Sequence, residues 1–263
     1  MAPAAPTGMT TGTPTTMVTG MGMGIGTHMT TTGRAMDMAM PTDPDAPAGM
    51  TTTDLAPLQI LTTWFSPAFP VGAYSYSHGL EWAVAEGRVR DAASLADWTG
   101  GLLRHGAGRA DAILLAHAHR ADDPAPLAEM ARALAPSSER LLEAVAQGAA
   151  FTRTAAAVWG TRPEPLPYPV AVGHAAGRLG LPLELTATFF VQAFAANIVS
   201  AAVRLVPLGQ TDGQRVTAAL LPLAAEVATD AIAAPLEEIG GLSFTADLAS
   251  MAHETQTTRL YRS

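Results

Sequence analysis

The chain contains no cysteine. That excludes disulfides, thiolate zinc sites and cysteine nucleophiles together, and points to a reducing compartment, the cytoplasm. Lysine is missing as well, since all 15 positive residues are arginine. The chain therefore has no Walker A lysine, no Schiff-base lysine and no lysine-rich tract. Positive charge is scarce overall, 15 arginines against 23 acidic residues for a net charge of −8. Such a balance leaves no electrostatic footprint for nucleic acid or an anionic membrane, and suits a protein partner with a basic patch. Aromatic residues make up 6% of the chain and none precedes Trp64.

What the chain does have divides it in two. Residues 1–50 hold ten of the 12 methionines, twelve threonines and eight glycines. A segment so poor in large apolar groups cannot offset its ordering entropy, so residues 1–53 are expected to be a disordered, low-complexity extension. It lacks the charged start of a signal peptide, its first positive residue being Arg34. Met36, Met40 or Met50 would serve as a later start. The methionines with His28 have the thioether character that suits Cu(I), a compositional hint only.

From Asp54 to residue 263 the pattern is helical, which predicts one all-α domain of roughly eight to ten helices. Asp54 is placed to cap a first helix that stops at Ser66-Pro67, Asp91 to cap a third, and Ser137 to open a long one. On that long helix Leu141, Val145, Ala149, Thr152, Ala156 and Trp159 share a face read as a packing face. Leu183 to Val206 is apolar almost all round, but its polar residues Gln192 and Asn197 and its many alanines favour a central or dimer-forming helix over a membrane span. In "GQTDGQR" (209–215), Thr211 and Gln214 have capping-box spacing. Pro222 is expected to kink or restart the helix beyond it.

No catalytic constellation emerges. His117 and His119 stand two residues apart on a helix, diverge by about 200°, and cannot chelate one metal. His117 reads as a satisfied core histidine and His119 as solvated. Ser75 and Ser77 beside His78 lack a nucleophile elbow, so helix capping is the simpler role. His78, His174 and His253 are scattered candidates for a metal. The adjacent Glu237 and Glu238 point apart and read as a solvated edge. Rich in turns and poor in reactive side chains, the chain reads as a binding protein rather than an enzyme.

Four stretches, "SPAFPVGAYSYSHGLEWAV" (66–84), "YPVAVGHAAGRLGLPLE" (168–184), "VRLVPLGQTDGQR" (203–215) and "LASMAHETQTTRLYRS" (248–263), resemble the UreF family of urease accessory proteins in residues, order and spacing. The resemblance covers about 55–263 and carries little signature between 120 and 165. It implies an all-α, cytoplasmic homodimer that binds no cofactor itself. Its partners would be the accessory protein UreD (also called UreH), the GTPase UreG and the urease apoprotein, with nickel and GTP acting through the complex.

Carried onto this chain, the family's partner-binding features fall on Tyr74 and Tyr76 of the first stretch and on Arg259, Leu260, Tyr261, Arg262 and Ser263 of the last. Partner binding is expected to order this tail beside the turn of residues 72–77. The chain departs from the family's usual residues at Phe69, Ala252, Thr257 and Tyr261. Two other roles remain open at this point: a GTPase activator supplying Arg259 or Arg262 as a catalytic arginine, and a direct nickel chaperone using His78, His174 or His253.

Overall fold

Asp91 shows how local chemistry starts these helices. Its carboxylate accepts the backbone N–H of Ser94 at 2.8 Å, and the Ser94 hydroxyl oxygen accepts the Asp91 N–H at 3.1 Å. This reciprocal capping box satisfies two donors that a helix start leaves orphaned. Ser137 likewise accepts the N–H of Arg140 at 3.2 Å, as its position in the sequence predicts. Gly87, at φ 69°, stands just past the second helix, and Gly160, at φ 72°, ends the long one. Both use a left-handed conformation that other residues adopt at a cost.

A computed structural model describes residues 52–240 and 243–262. The expected disordered extension, apart from Thr52 and Thr53, lies outside the described residues with its methionines and His28, and so does Ser263. The described chain forms α1 (Thr52–Trp64), α2 (Leu80–Ala85), α3 (Ala92–His105), α4 (Ala107–Arg120), α5 (Ala125–Ala133), α6 (Ser138–Trp159), α7 (Tyr168–Arg178), α8 (Leu183–Leu205), α9 (Gln210–Ala233) and α10 (Phe244–His253). Two 3-10 turns, Ala73–Ser75 and Leu236–Glu238, complete it, and there is no strand among the described residues. The all-α expectation holds.

Helix α4 runs through the centre, touching α3, α5, α7, α8 and α9. Its packing against α7 is close because glycine allows it: a Cβ on Gly173 or Gly177 would fall onto the carbonyls of Leu115 and His119. Helices α8 and α9 lie along each other. Both are long and apolar enough to cross a bilayer by length and composition, and half of the most apolar window of α8 is buried within the fold. At one end Trp64 meets Phe151 edge-on at 5.0 Å and Trp159 at 5.7 Å, with Phe69 of the following turn 5.7 Å from Phe151. This cluster anchors the turn to the core.

Several local expectations are corrected. Helix α1 begins at Thr52, so Asp54 lies inside its first turn. Helix α9 begins at Gln210 with Gly209 as its cap, and Thr211 and Gln214 form no capping box. Gly213 lets α9 come close to α8, since a Cβ there would meet the Val203 side chain at 2.7 Å. Pro222 sits inside a continuous α9 without ending it. His119 is half-buried rather than solvated, its Nε2 2.8 Å from the Leu181 carbonyl. His117 pairs with the Ala234 carbonyl at 3.0 Å, as a satisfied interior histidine does.

The buried face of α6 is also displaced. It runs through Arg140, Glu143, Gln147, Gly148, Phe151, Thr152 and Ala155. A reading that turns charges outward misses it, because these polar side chains satisfy one another inside the protein.

Candidate functional site

The turn between α1 and α2 is a shaped element. Gly72, His78 and Gly79 all have positive φ (78°, 53° and 73°), which reverses the chain within a few residues. The side-chain amide of Asn197 on α8 donates to the Ala73 carbonyl at 3.0 Å and holds the turn in place. The Ser77 hydroxyl accepts the N–H of Glu81 at 3.4 Å, a role close to the expected capping. The two tyrosines differ sharply: Tyr74 is 66% exposed and Tyr76 is 3% exposed. Only Tyr74 is presented to the outside.

The carboxy-terminal tail runs back across this turn and α2. The carboxylate of Glu81 accepts the backbone N–H of Leu260 at 2.7 Å and that of Tyr261 at 2.9 Å. The next amide, Arg262, donates to the Ser75 carbonyl at 2.9 Å. Tyr261 is buried, its hydroxyl 3.4 Å from the Ala201 carbonyl and its ring under the Arg204 guanidinium at 5.6 Å. Arg259 donates to Glu139 at 2.6 Å. Leu260 points outward and is 75% exposed.

Beneath the tail lies His253, fully enclosed. One ring nitrogen is 2.7 Å from Glu139 and the other 3.3 Å from Glu81. The same two glutamates that grip the tail are thus joined through the last residue of α10. Glu254 follows and accepts the N–H and hydroxyl of Ser138, both at 2.7 Å, capping α6 from just past the end of α10. The Ser138 hydrogen bonds hold its carboxyl below the usual range.

A second buried polar cluster lies behind the turn. Nε2 of His78 is 3.2 Å from Glu143, which also pairs with Arg140 and accepts from Gln147 at 2.8 Å. Asp111 stands 4.0 Å from Arg140. Burial pushes the His78 imidazole below its ordinary value, and the charge of Arg140 adds to this. Burial would raise Glu143, but Arg140 and His78 outweigh it and bring the carboxyl down to about 2. Burial raises Asp111 to about 6 against the pull of Arg140. These groups border a cavity of about 70 Å³ walled by Phe65, Phe190 and Phe194.

Among the described residues no three His, Asp or Glu side chains are arranged to hold a metal ion. His253 meets its glutamates at opposite ring nitrogens, so the carboxylates do not converge on one point. Of the residues singled out from sequence, Tyr74, Leu260 and Arg262 are exposed, Arg259 is ion-paired, and Tyr76 and Tyr261 are buried. Ser263 lies outside the described residues. Sequence reasoning missed Glu81, Glu139 and the Arg140–Glu143 pair. The available signal was a lone glutamate within the apolar "LEWAV" and opposite charges at i,i+3 on a packing helix.

Comparison with known proteins bears on this arrangement. The UreF family model matches residues 89–221. The urease accessory protein UreF of Cereibacter sphaeroides is 57% identical over 207 residues, 79% of this chain and 99% of the relative. That of Roseobacter denitrificans is 51% identical over 204 residues, 77% of this chain and 92% of the relative. That of Rhodopseudomonas palustris is 50% identical over 236 residues, 84% of this chain and all of the relative.

Proposed function

The chain belongs to the UreF family of urease accessory proteins, and from that membership we propose that it bridges UreD and the GTPase UreG during nickel delivery to apo-urease. In this reading it works in the cytoplasm as a homodimer, catalyses no reaction itself and binds no cofactor of its own. Nickel is the cargo of the assembly and GTP is handled by UreG. The absence of lysine fits this division of labour, because the phosphate-binding loop then sits on the partner.

One observation carries the reading. The tail lies along the tyrosine turn and holds Leu260 at 75% exposure while Tyr74 of the turn is 66% exposed. An exposed tyrosine close to the tail's arginines, Arg259 and Arg262, supplies the residue types that dominate interface energies, and Leu260 adds exposed apolar surface beside them. UreD is proposed as the partner of this surface.

Deleting Arg259–Ser263 tests it. Co-purification with UreD is expected to be lost while the helical circular-dichroism signal stays. Unchanged co-purification would reject the reading, and collapse of the helical signal would make the tail a structural element instead.

A further inference from the structure

We propose that Glu81 is the positioning residue of the partner-binding tail: a buried carboxylate that takes hold of two successive backbone amides and thereby decides which tail side chains face outward. The proposal rests on the tail-docking reading above and adds to it the device that sets the docking.

The amides of Leu260 and Tyr261 donate to the two oxygens of one carboxylate, at 2.7 Å to Oε1 and 2.9 Å to Oε2, and two successive N–H groups facing one anion form an anion-binding concavity. Charge-assisted bonds of this sort are about twice as strong as neutral ones. They involve main-chain atoms, so they fix the path of the tail regardless of its side chains. Residues 260 and 261 lie in a bend, which turns both amides toward Glu81 while their side chains part. Once Glu81 sets that path, Tyr261 turns inward to 6% exposure and Leu260 outward to 75%.

Dependence runs the other way as well. Glu81 sits on α2 at 6% exposure, and a buried carboxylate needs its acceptor sites filled. His253 fills one, and the tail amides supply the other two. Lifting the tail would strip Glu81 of two hydrogen-bond partners. His253 in turn ties Glu81 to Glu139, which grips Arg259. Carboxylates on α2 and α6 therefore hold one short segment from two sides, with α10 between them.

Hydrogen exchange of the full chain, read residue by residue by NMR, tests this. In the unaltered protein the amides of Leu260 and Tyr261 are expected to be protected. In Glu81→Gln, which keeps one acceptor oxygen, their exchange is expected to be roughly 10- to 100-fold faster. In Glu81→Ala it rises further, while the α8 amides keep their protection. That gradation separates positioning from general loosening, which would release α8 too. Exchange of both amides at the rate of unstructured chain in the unaltered protein would overturn the proposal without any variant. Unchanged protection in Glu81→Gln and Glu81→Ala would overturn it as well. If Glu81→Gln frees the tail amides while UreD capture is undiminished, the role of Glu81 stands and the proposed docking function fails.

Discussion

The backbone nitrogen of Ser250 lies 2.8 Å from the point where a β-carbon on Gly79 would stand. The start of α2 is thus pressed against the backbone of α10, and this contact brings Glu81 and His253 together. Gly79 also has a positive φ, 73°. Gly79→Ala combines backbone strain with overpacking and is expected to lower stability by about 2–3 kcal/mol. It should also pry α10 away from α2. Thermal denaturation checks the first effect, and an unaltered midpoint would contradict the geometry.

The two tyrosines of the turn should behave as opposites. Tyr74→Ala removes a side chain that is 66% exposed and is expected to change stability by less than about 0.5 kcal/mol. Its effect should fall on UreD capture. Tyr76→Ala empties a site that is 3% exposed and is expected to cost about 3 kcal/mol. Urea unfolding and co-purification, run on both variants, separate the two roles.

This contrast shows where sequence was informative. The helices with polar caps were legible, because Asp91 and Ser137 sit just before apolar periods. The turn was legible as a shaped element from its glycines and prolines. What sequence did not reveal was which of two tyrosines two residues apart faces the core, since that is set by Asn197 and the helices packed behind the turn. The tail's grip was illegible for the same reason. Glu81 and Leu260 are separated by 179 positions, and pattern reasoning assigns a glutamate to solvent by default.

In the tail itself, Leu260 and Tyr261 divide the work. Leu260→Ala touches a side chain that is 75% exposed and is expected to be neutral for folding within about 0.5 kcal/mol. Tyr261→Ala removes a ring that is 6% exposed and is expected to cost about 2–4 kcal/mol. Both should weaken UreD capture, the first by deleting the anchor and the second by unseating it. Exchange at the Arg262 amide, bonded to the Ser75 carbonyl, tells them apart. It should rise in Tyr261→Ala and stay unchanged in Leu260→Ala.

Asp111 gives a prediction in pH. Burial raises its carboxyl from 3.8 to about 6 against the attraction of Arg140. Between these values the unfolded chain has released the proton and the folded protein still holds it, so this group's contribution to stability falls as pH rises through the window. Above about pH 7 both states are ionised and the loss is complete. Asparagine cannot ionise, so Asp111→Asn lacks this slope. Its melting temperature relative to the unaltered protein should therefore climb between about pH 4.5 and pH 7 and then level off. The climb should correspond to a change on the order of 2 kcal/mol, given that 24% of the Asp111 side chain remains exposed. The neighbouring groups work in the opposite direction: His78 is held below 6.5, and Glu143 is lowered to about 2. Both lose stabilising power as pH falls, in the variant and the unaltered protein alike, so subtracting one curve from the other isolates Asp111. A pH-independent difference would show that its carboxyl is not raised by burial.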